Sequence, residues 1–246
     1  MTGHTALFRF DASPEIGGGH AVRCLTLARE LEARGWTSRF AVGPETLGTV
    51  AAMADRAADC VAPDDMAALA PVTAVIVDHY GLDIGDEKPW REIARHIVVL
   101  DDLADRRHDC DVLIDQGLGR RTEDYAGLVP PGCRLLLGPL HGLLRPEFAA
   151  MREAAQAARR LTTVQRELVA FGFSDSDNLT VRALEGLAGK GLQVDVVLGA
   201  GAPHLDSVRD AAAALSPPGR VLCDVDDMAG LMVEVDLAIG AFGTTS

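Results

Sequence analysis

The chain has 246 residues, of which 48% are hydrophobic and 24% are charged, a balance typical of a folded globular protein rather than a disordered one. Its 36 acidic and 23 basic side chains give a net charge of −13, and only 4% of the residues are aromatic. The chain therefore lacks the positive surface and the stacking residues that nucleic-acid-binding proteins use.

The cysteines indicate a reducing compartment. They are odd in number and scattered, and no C-x-x-C motif occurs, so a disulfide framework is not indicated. The sequence shows neither a signal-peptide pattern nor an apolar run long enough for a membrane span. We therefore expect a cytoplasmic α/β enzyme without a membrane partner. The cysteines are Cys24, Cys60, Cys110, Cys133 and Cys223.

Short apolar runs alternate with helical patterns along the first part of the chain. Apolar residues recur at helical spacing from Cys24 to Leu31, and residues 73–80 form the apolar run of a buried strand. This alternation indicates a mostly parallel sheet with helices on both faces. It predicts strands over 6–12, 38–42, 73–80, 96–102, 111–116 and 134–138, and helices over 20–34, 46–58 and 83–95, the last with a break at Pro89.

The alternation restarts after a long helix-favouring stretch at 147–161. We therefore predict an α/β fold of two Rossmann-like domains, with residues 1–148 in the first, 149–165 as a connector helix and 166–246 in the second. Such sheets place ligands at the carboxyl ends of their strands. The second domain is predicted to contain strands over 167–171, 193–198, 220–224 and 236–241, and helices over 179–190, 204–215 and 227–233.

The last seven residues are typical of a loop that leaves a strand and is about to start a helix. A domain rarely ends at such a loop, because the apolar face of the strand then lacks its covering layer. We therefore expect the second domain to be incomplete in this sequence.

A glycine-rich cluster lies between the first strand and the first helix. Gly17, Gly18 and Gly19 precede His20, and glycines at a helix start let a ligand approach amide groups that favour anions. The cluster is not a dinucleotide fingerprint, because Val22 stands where G-x-G-x-x-G requires its last glycine, and no G-K-S/T follows for a Walker A motif. It therefore indicates a ligand site of another kind.

His20 is the candidate catalytic residue of this cluster. A helix N-terminus disfavours a charged imidazolium, so we expect a neutral ring that can act as a general base. Asp11 or a backbone carbonyl is expected to fix its tautomer. By position alone a helix cap or a solvated side chain is the simpler interpretation, and the glycine run favours a site.

Two later loops repeat this strand-to-helix arrangement, and their amides and hydroxyls can hold phosphate oxygens. The same residue types cap helices and form ordinary turns, so those interpretations stay open. The candidate nucleotide-binding residues in these loops are Gly172, Ser174, Asp175, Thr244, Thr245 and Ser246.

Metal ligands are poorly supported by the sequence. The run 108–111 contains ligand types, but consecutive residues of an extended chain point in alternate directions. The aspartate pairs at 64–65, 101–102 and 226–227 are more often loop or cap residues than magnesium ligands. We expect neither a metal nor another cofactor.

Asp78 and Tyr80 end the strongest strand pattern and lie on one side of it. A strand end is where a parallel sheet places its ligand, so both are candidates for substrate contact. A half-buried packing role for Tyr80 is the alternative.

Seven motifs occur in order along nearly the whole chain. The segment F-R-F-D-A-S-P-E-I-G-G-G-H-A-V-R-C-L-T-L-A at 8–28 precedes V-I-V-D-H-Y-G-L-D at 75–83 and V-V-L-D-D-L-A-D-R-R-H-D-C-D at 98–111. Shorter motifs are L-I-D-Q at 113–116, L-L-R-P-E-F at 143–148, D-N-L-T at 177–180 and D-L-A-I-G at 236–240. This series resembles the UDP-sugar hydrolases of the pseudaminic-acid pathway and the related spore-coat polysaccharide proteins.

The resemblance implies a glycosyltransferase-B-like fold, with sugar binding and catalysis in the first domain and nucleotide binding in the partial second one. It implies removal of UDP from UDP-2,4-diacetamido-2,4,6-trideoxy-β-L-altropyranose, with inversion at the anomeric carbon and no metal. The base of the family's I-G-x-G-H motif falls on His20. With the positions argued above, the candidate substrate-binding residues are Arg9, Asp11, Gly17, Gly19, Arg23, Asp78 and Tyr80.

Two positions depart from the family pattern. Phe173 stands where F-G-G-S/T-D has its second glycine, and Phe242 replaces a glycine of G-A-G-G-S/T-x-S/T. Both place a bulky side chain where backbone would approach phosphate, which bears on the UDP affinity and on the identity of the nucleotide sugar. An inverting UDP-sugar glycosyltransferase and a non-catalytic nucleotide-sugar-binding module stay open as alternatives.

Overall fold

A computed structural model describes residues 3–13, 15–158 and 163–241 of the chain. Its strands form two parallel sheets, one of seven strands and one of four. The chain divides into two compact units, Met1–Ser13 with His20–Leu143 and Pro14–Gly19 with Leu144–Ser246, and each unit contains one sheet. The prediction of two Rossmann-like α/β units is confirmed.

The seven-stranded sheet has the order β3-β2-β1-β4-β5-β6-β7. All its strand pairs are parallel, as the alternation of strands and helices predicts. The elements of this part of the chain are β1 (Thr5–Phe10), α1 (Gly19–Ala33), β2 (Thr37–Ala41), α2 (Pro44–Thr49), α3 (Ala51–Ala54), β3 (Cys60–Val61), β4 (Val72–Asp78), α4 (Ile84–Trp90), β5 (Ala94–Leu100), β6 (Val112–Asp115) and β7 (Arg134–Leu137).

The central strand β1 is buried on both faces. Phe8 and Phe10 pack into one hydrophobic cluster with Cys24 and Ala28 of α1, while Leu7 packs into a second cluster on the other face. A strand covered on both sides needs a continuous apolar run rather than alternation, and this is the pattern of residues 6–10. Packing against α1 therefore fixes the helix directly over β1.

One predicted helix is wrong. The pattern over 46–58 gives two short helices, α2 and α3, because the backbone of Val50 between them is extended. Gly48, Thr49 and Val50 all have low helix propensity, and the structure breaks the helix at this point. The two-residue strand β3 and the 3₁₀ turn Pro63–Leu69 follow, and neither was predicted. The predicted helix over 83–95 is also shorter, since α4 ends at Trp90, one residue after Pro89.

The four-stranded sheet has the order β10-β9-β8-β11, and its pairs are also parallel. Its core is a cluster of aliphatic side chains that β8, β9, α6 and α7 contribute. The elements of this unit are α5 (Pro146–Ala158), β8 (Arg166–Ala170), α6 (Leu179–Leu187), β9 (Gln193–Leu198), α7 (Leu205–Ala213), β10 (Arg220–Cys223), α8 (Met228–Val233) and β11 (Leu237–Gly240).

The helix α5 groups with the second unit, where it contacts α8. The sequence pattern made residues 149–165 a connector, and that assignment of domains stays a prediction. Within the residues described, no helix is both long and apolar enough to span a bilayer.

Candidate functional site

The carboxyl end of β4 meets the start of α1 in the first unit. Because β1 pairs with β4, the helix that follows β1 begins beside the residue that ends β4. His20 and Asp78 are both buried there, and His20 Nδ1 lies 2.6 Å from Asp78 Oδ1. The sheet topology thus joins two candidate residues that are far apart in sequence.

Arg23, one turn further along α1, holds the same carboxylate from a second side. Its Nε donates to Asp78 Oδ2 at 2.5 Å and its Nη2 donates to Asp78 Oδ1 at 2.6 Å. Burial favours the neutral form of Asp78, but the hydrogen bonds from His20 and Arg23 outweigh it and hold the pKa of Asp78 below its usual value. The Asp78 carboxylate is therefore ionised.

The ionised carboxylate fixes the tautomer of His20. An ionised carboxylate only accepts hydrogen bonds, so the proton of the neutral ring lies on Nδ1 and the lone pair lies on Nε2. Within the described residues Nε2 makes no hydrogen bond, and it is not one of the sealed, unpartnered polar atoms. Nε2 is thus the ring nitrogen that is able to accept a proton, on a side chain that is 6% exposed.

The expectation that Asp11 fixes the tautomer of His20 is wrong, since Asp78 makes that contact. Asp11 accepts hydrogen bonds from Arg9 Nη2 at 2.8 Å and from Gly43 N at 2.6 Å. Burial opposes its ionisation, but hydrogen bonds from His79, Arg9 and Gly43 lower the pKa of Asp11 well below its usual value. Arg9 and Asp11 thus form an ion pair with each other near the carboxyl end of β1.

Tyr80 is the exposed member of the candidate site. The residue is 48% exposed, and its ring meets the His20 ring edge-on, with the ring centroids 4.6 Å apart. Its hydroxyl donates to Asp102 Oδ2 at 3.4 Å, and burial together with the Asp102 charge raises the pKa of Tyr80. Tyr80 thus places an exposed aromatic ring, with a neutral hydroxyl, against the imidazole of His20.

The other predicted substrate-binding residues are placed differently. Arg23 and Asp78 are buried and bonded to each other, so they support His20 from behind. Gly17 has φ +80°, a conformation that favours glycine, and Gly19 begins α1 directly before His20. Substrate binding by each of them stays a prediction.

Sequence reasoning missed Asp102. The pair at 101–102 was expected to hold loop or cap residues, and Asp101 fits, because its carboxylate accepts the backbone N–H of Ala104. Asp102 instead accepts a hydrogen bond from Arg23 Nη1 at 3.1 Å. The available signal was its place just beyond β5, the strand beside β4.

The predicted nucleotide loop in the second unit connects β8 to α6. Gly172 has φ +99°, and Asp175 accepts the backbone N–H groups of Leu179 and Thr180, each at 2.9 Å. Asp175 thus caps α6. The ring of Phe173 leans over Gly199, where an added Cβ would stand 2.6 Å from it. Ser174 is half-buried in this loop.

Of the third predicted loop, Gly240 ends β11, while residues 242–246, which include Phe242, Thr244, Thr245 and Ser246, lie outside the described residues. In the part of the chain that the structure describes, no three His, Cys, Asp or Glu side chains group as metal ligands would. The ligand types of the run 108–111 have other partners: His108 binds Glu87, and Asp109 and Asp111 bind Arg91.

No protein-family model matches the chain. It is 26% identical over 230 residues to the UDP-2,4-diacetamido-2,4,6-trideoxy-beta-L-altropyranose hydrolase of Campylobacter jejuni, a match that covers 93% of this chain and 81% of the relative. It is 25% identical over 254 residues to an uncharacterized protein of Methanocaldococcus jannaschii, which covers 96% of this chain and 51% of that relative.

Among solved structures, MurG of Acinetobacter baumannii aligns with a TM-score of 0.60 at 12% identity, covering 98% of this chain and 74% of MurG. This likeness shows the fold, and it agrees with the predicted glycosyltransferase-B-like class. The match to the Campylobacter protein supports a distant relationship to a UDP-sugar hydrolase.

Proposed function

We propose that this chain hydrolyses a UDP-linked deoxy-diacetamido sugar at its anomeric carbon, with inversion and without a metal. The products are UDP and a free sugar for nonulosonic (pseudaminic-type) acid or surface polysaccharide biosynthesis. One observation carries the proposal: the Nδ1 of His20 is held by an ionised Asp78, and Nε2 is left able to accept a proton.

In the proposed reaction, Nε2 of His20 takes a proton from water as the water oxygen forms a bond to the anomeric carbon. The bond from that carbon to the diphosphate oxygen breaks on the opposite face, and UDP leaves with the electron pair. UDP carries its charge on two phosphates, so it needs no strong acid on the departing oxygen, unlike the leaving group of an ordinary glycosidase. Asp78 stabilises the imidazolium that forms.

The donors for the diphosphate are assigned to the second unit, in the loop of Gly172, Ser174 and Asp175 and in the segment 244–246. Asp175 contributes as the cap of α6, because the two hydrogen bonds that it accepts order the first turn of the helix that follows the loop. Backbone N–H groups of such a loop stabilise negative charge that develops in the transition state.

An NMR time course of UDP-sugar consumption tests the proposal. We expect the diacetamido substrate to give UDP and a free sugar whose first-formed anomer is inverted, with the much slower His20→Asn as the control. If the sugar were instead found attached to an added acceptor, the reaction would be glycosyl transfer and not hydrolysis. Binding of the UDP-sugar without any product would overturn catalysis altogether.

Turnover is expected to be independent of divalent metal. The sequence lacks metal-ligand spacing, and a diphosphate that loop N–H groups hold needs no cation to leave. Assays after EDTA treatment and dialysis should match untreated enzyme. Activity that EDTA abolishes and Mg²⁺ or Mn²⁺ restores would contradict this.

A further inference from the structure

Asp102 is linked to His20 through the side chains of Arg23 and Asp78, and Arg23 Nη2 also lies 3.2 Å from His20 Nδ1. Asp102 Oδ2 accepts from Arg23 Nη1 at 3.1 Å, Arg23 holds Asp78 through Nε and Nη2, and Asp78 holds His20 Nδ1 at 2.6 Å. Arg23 and Asp78 are buried, so water screens this chain of charges weakly. Asp102 lies at its far end and touches no atom that reacts in the proposed mechanism.

The charges of these contacting side chains show how Asp102 affects the protonation of His20. Asp78 and Arg23 alone form a neutral pair, which offers little net attraction to a proton on His20. With Asp102 the three side chains carry a net charge of −1. Protonation of His20 then brings the cluster to neutrality, and a buried cluster is most stable when its charges balance.

The charge of Asp102 is directed to Arg23 rather than to another cation. Its second oxygen, Oδ1, is buried and accepts no hydrogen bond within the described residues. Tyr80, its other side-chain partner, is a neutral donor. The loop itself is held independently, since Arg120 donates to the backbone oxygen of Asp102 at 2.5 Å. A change of this side chain therefore alters the charge while the loop keeps its other bonds.

We propose that Asp102 is a positioning residue that balances the Arg23 guanidinium, so that the Asp78 charge remains available to the imidazolium of His20. This inference rests on the proposed role of His20 as the base. The titratable and charged groups that contact His20 are Arg23 from its own helix, Asp78 from β4 and Tyr80 from the loop after β4. Cys24 of α1 and Asp102 of the loop after β5 contact Asp78 and Arg23 instead.

The test compares Asp102→Asn, which removes the charge and keeps the shape, with Asp102→Glu, which keeps the charge. Without the Asp102 charge, the imidazolium of His20 is less stable. His20 is then a weaker base, and its ring stays neutral down to a lower pH. We expect kcat of the Asn variant to fall by about two- to tenfold with KM unchanged, and the acid limb of its kcat/KM profile to move to lower pH by about half to one unit. The Glu variant should recover most of both.

A matched control is Asp105→Asn in the same loop, whose carboxylate pairs with Arg106 and is 60% exposed. It removes the same charge from a place outside the chain of contacts, and its profile should match wild type. An acid limb that stays in place in Asp102→Asn, or moves as far in Asp105→Asn, would leave Asp102 with a merely structural role.

A second measurement separates this inference from the proposed function. The Cε1–H resonance of His20, assigned by its loss in His20→Asn, can be followed against pH in substrate-free protein. Its midpoint should move to lower pH in Asp102→Asn and not in Asp105→Asn, whatever the protein turns over. If Asp102→Asn fails to fold, Asp102→Ser gives the same neutral test, and an unmoved midpoint in a folded neutral variant overturns the inference.

Discussion

At the scale of single residues, four histidines in the described part of the chain have a carboxylate oxygen within 4 Å of a ring nitrogen. His96 is exposed and its contact, at 3.9 Å, is too long for a hydrogen bond, and the other three differ in what their second ring nitrogen contacts. His79 lies 3.3 Å from Asp11 through Nε2, but its Nδ1 already accepts the N–H of Gly81. His108 binds Glu87, and its Nε2 is sealed from solvent. His20 combines a held Nδ1 with an open Nε2, and this is the arrangement that a general base requires.

His20→Asn should lower kcat by about 100-fold or more, because general base catalysis typically contributes about 10²–10⁴-fold. KM should change little, since the basic nitrogen acts in the transition state. The melting temperature should also change little, because Arg23 still holds Asp78. Steady-state kinetics on the diacetamido substrate and thermal unfolding measure all three.

The matched control for this substitution is His96→Asn, at an exposed histidine of β5. It should leave kcat, KM and stability at wild-type values. Near-normal kcat in His20→Asn, or a loss of activity that follows unfolding, would remove His20 from the proposed role. A raised KM with normal kcat would make it a binding residue.

Glu167 of β8 is a buried charge without a partner. The residue is 1% exposed, and neither carboxylate oxygen accepts a hydrogen bond within the described residues. Burial therefore raises the pKa of Glu167. A raised pKa in the folded state means that ionisation disfavours folding, so the cost is absent below about pH 4 and grows as the pH rises.

Glu167→Gln should therefore raise the free energy of unfolding at pH 8, by about 1.4 kcal/mol for each unit by which burial raises the pKa of Glu167. At pH 4 the gain should vanish, because Glu167 is then protonated. Urea unfolding at both pH values measures it, with Glu185→Gln at an exposed site of α6 as the control. A gain that is equal at both pH values would show that ionisation of Glu167 is not its source.

At the scale of elements, hydrophobic periodicity predicted the long helices and strands. It did not predict features that depend on tertiary contacts. The bounds of β1, α1 and β4 were predicted to within two residues, because each is a continuous apolar or helical pattern. The candidate site needed more: His20 meets Asp78 only because β1 pairs with β4 and not with another strand. Strand order is a property of the whole sheet, so sequence could propose both residues but not their contact.

The cap of α6 carries a prediction at this scale. Asn178 precedes the helix in a left-handed conformation and makes no cap bond, and Asp175 supplies both bonds to the first-turn amides instead. Asp175→Ala should therefore lower the free energy of unfolding by about 1–2 kcal/mol. Asp177→Ala, an exposed neighbour in the same loop, is the control. Equal stability of the two variants in urea would contradict the cap.

At the scale of the whole molecule, each sheet is held by buried aspartates that arginines keep ionised. Asp78 and Asp101 lie in the first unit and Asp195 in the second, and their side chains are 0%, 0% and 2% exposed. Burial opposes ionisation at each of them, but hydrogen bonds and neighbouring positive charges hold the pKa below its usual value. The unfolded chain therefore binds more protons than the folded one in acid.

The sign of this effect predicts steep acid unfolding. A depressed pKa adds stability that is complete above about pH 4, where an exposed aspartate is ionised, and that is lost as the pH falls toward the folded value. Each such carboxylate contributes a slope of about 1.4 kcal/mol per pH unit, so the three together give about 4 kcal/mol per unit below pH 4. Urea unfolding at a series of pH values between about 2.5 and 7 measures this slope.

Asp195→Asn tests how much one carboxylate contributes to this pH dependence of the free energy of unfolding. Asp195 accepts bonds from Arg166 and Arg220, so its loss lowers stability at neutral pH, and the slope below pH 4 should fall by about 1.4 kcal/mol per unit because one group no longer titrates. Asp206→Asn, whose side chain is 97% exposed, should leave the slope unchanged. An unchanged slope in Asp195→Asn would mean that acid acts on the fold through other groups, despite the two arginines that hold this one.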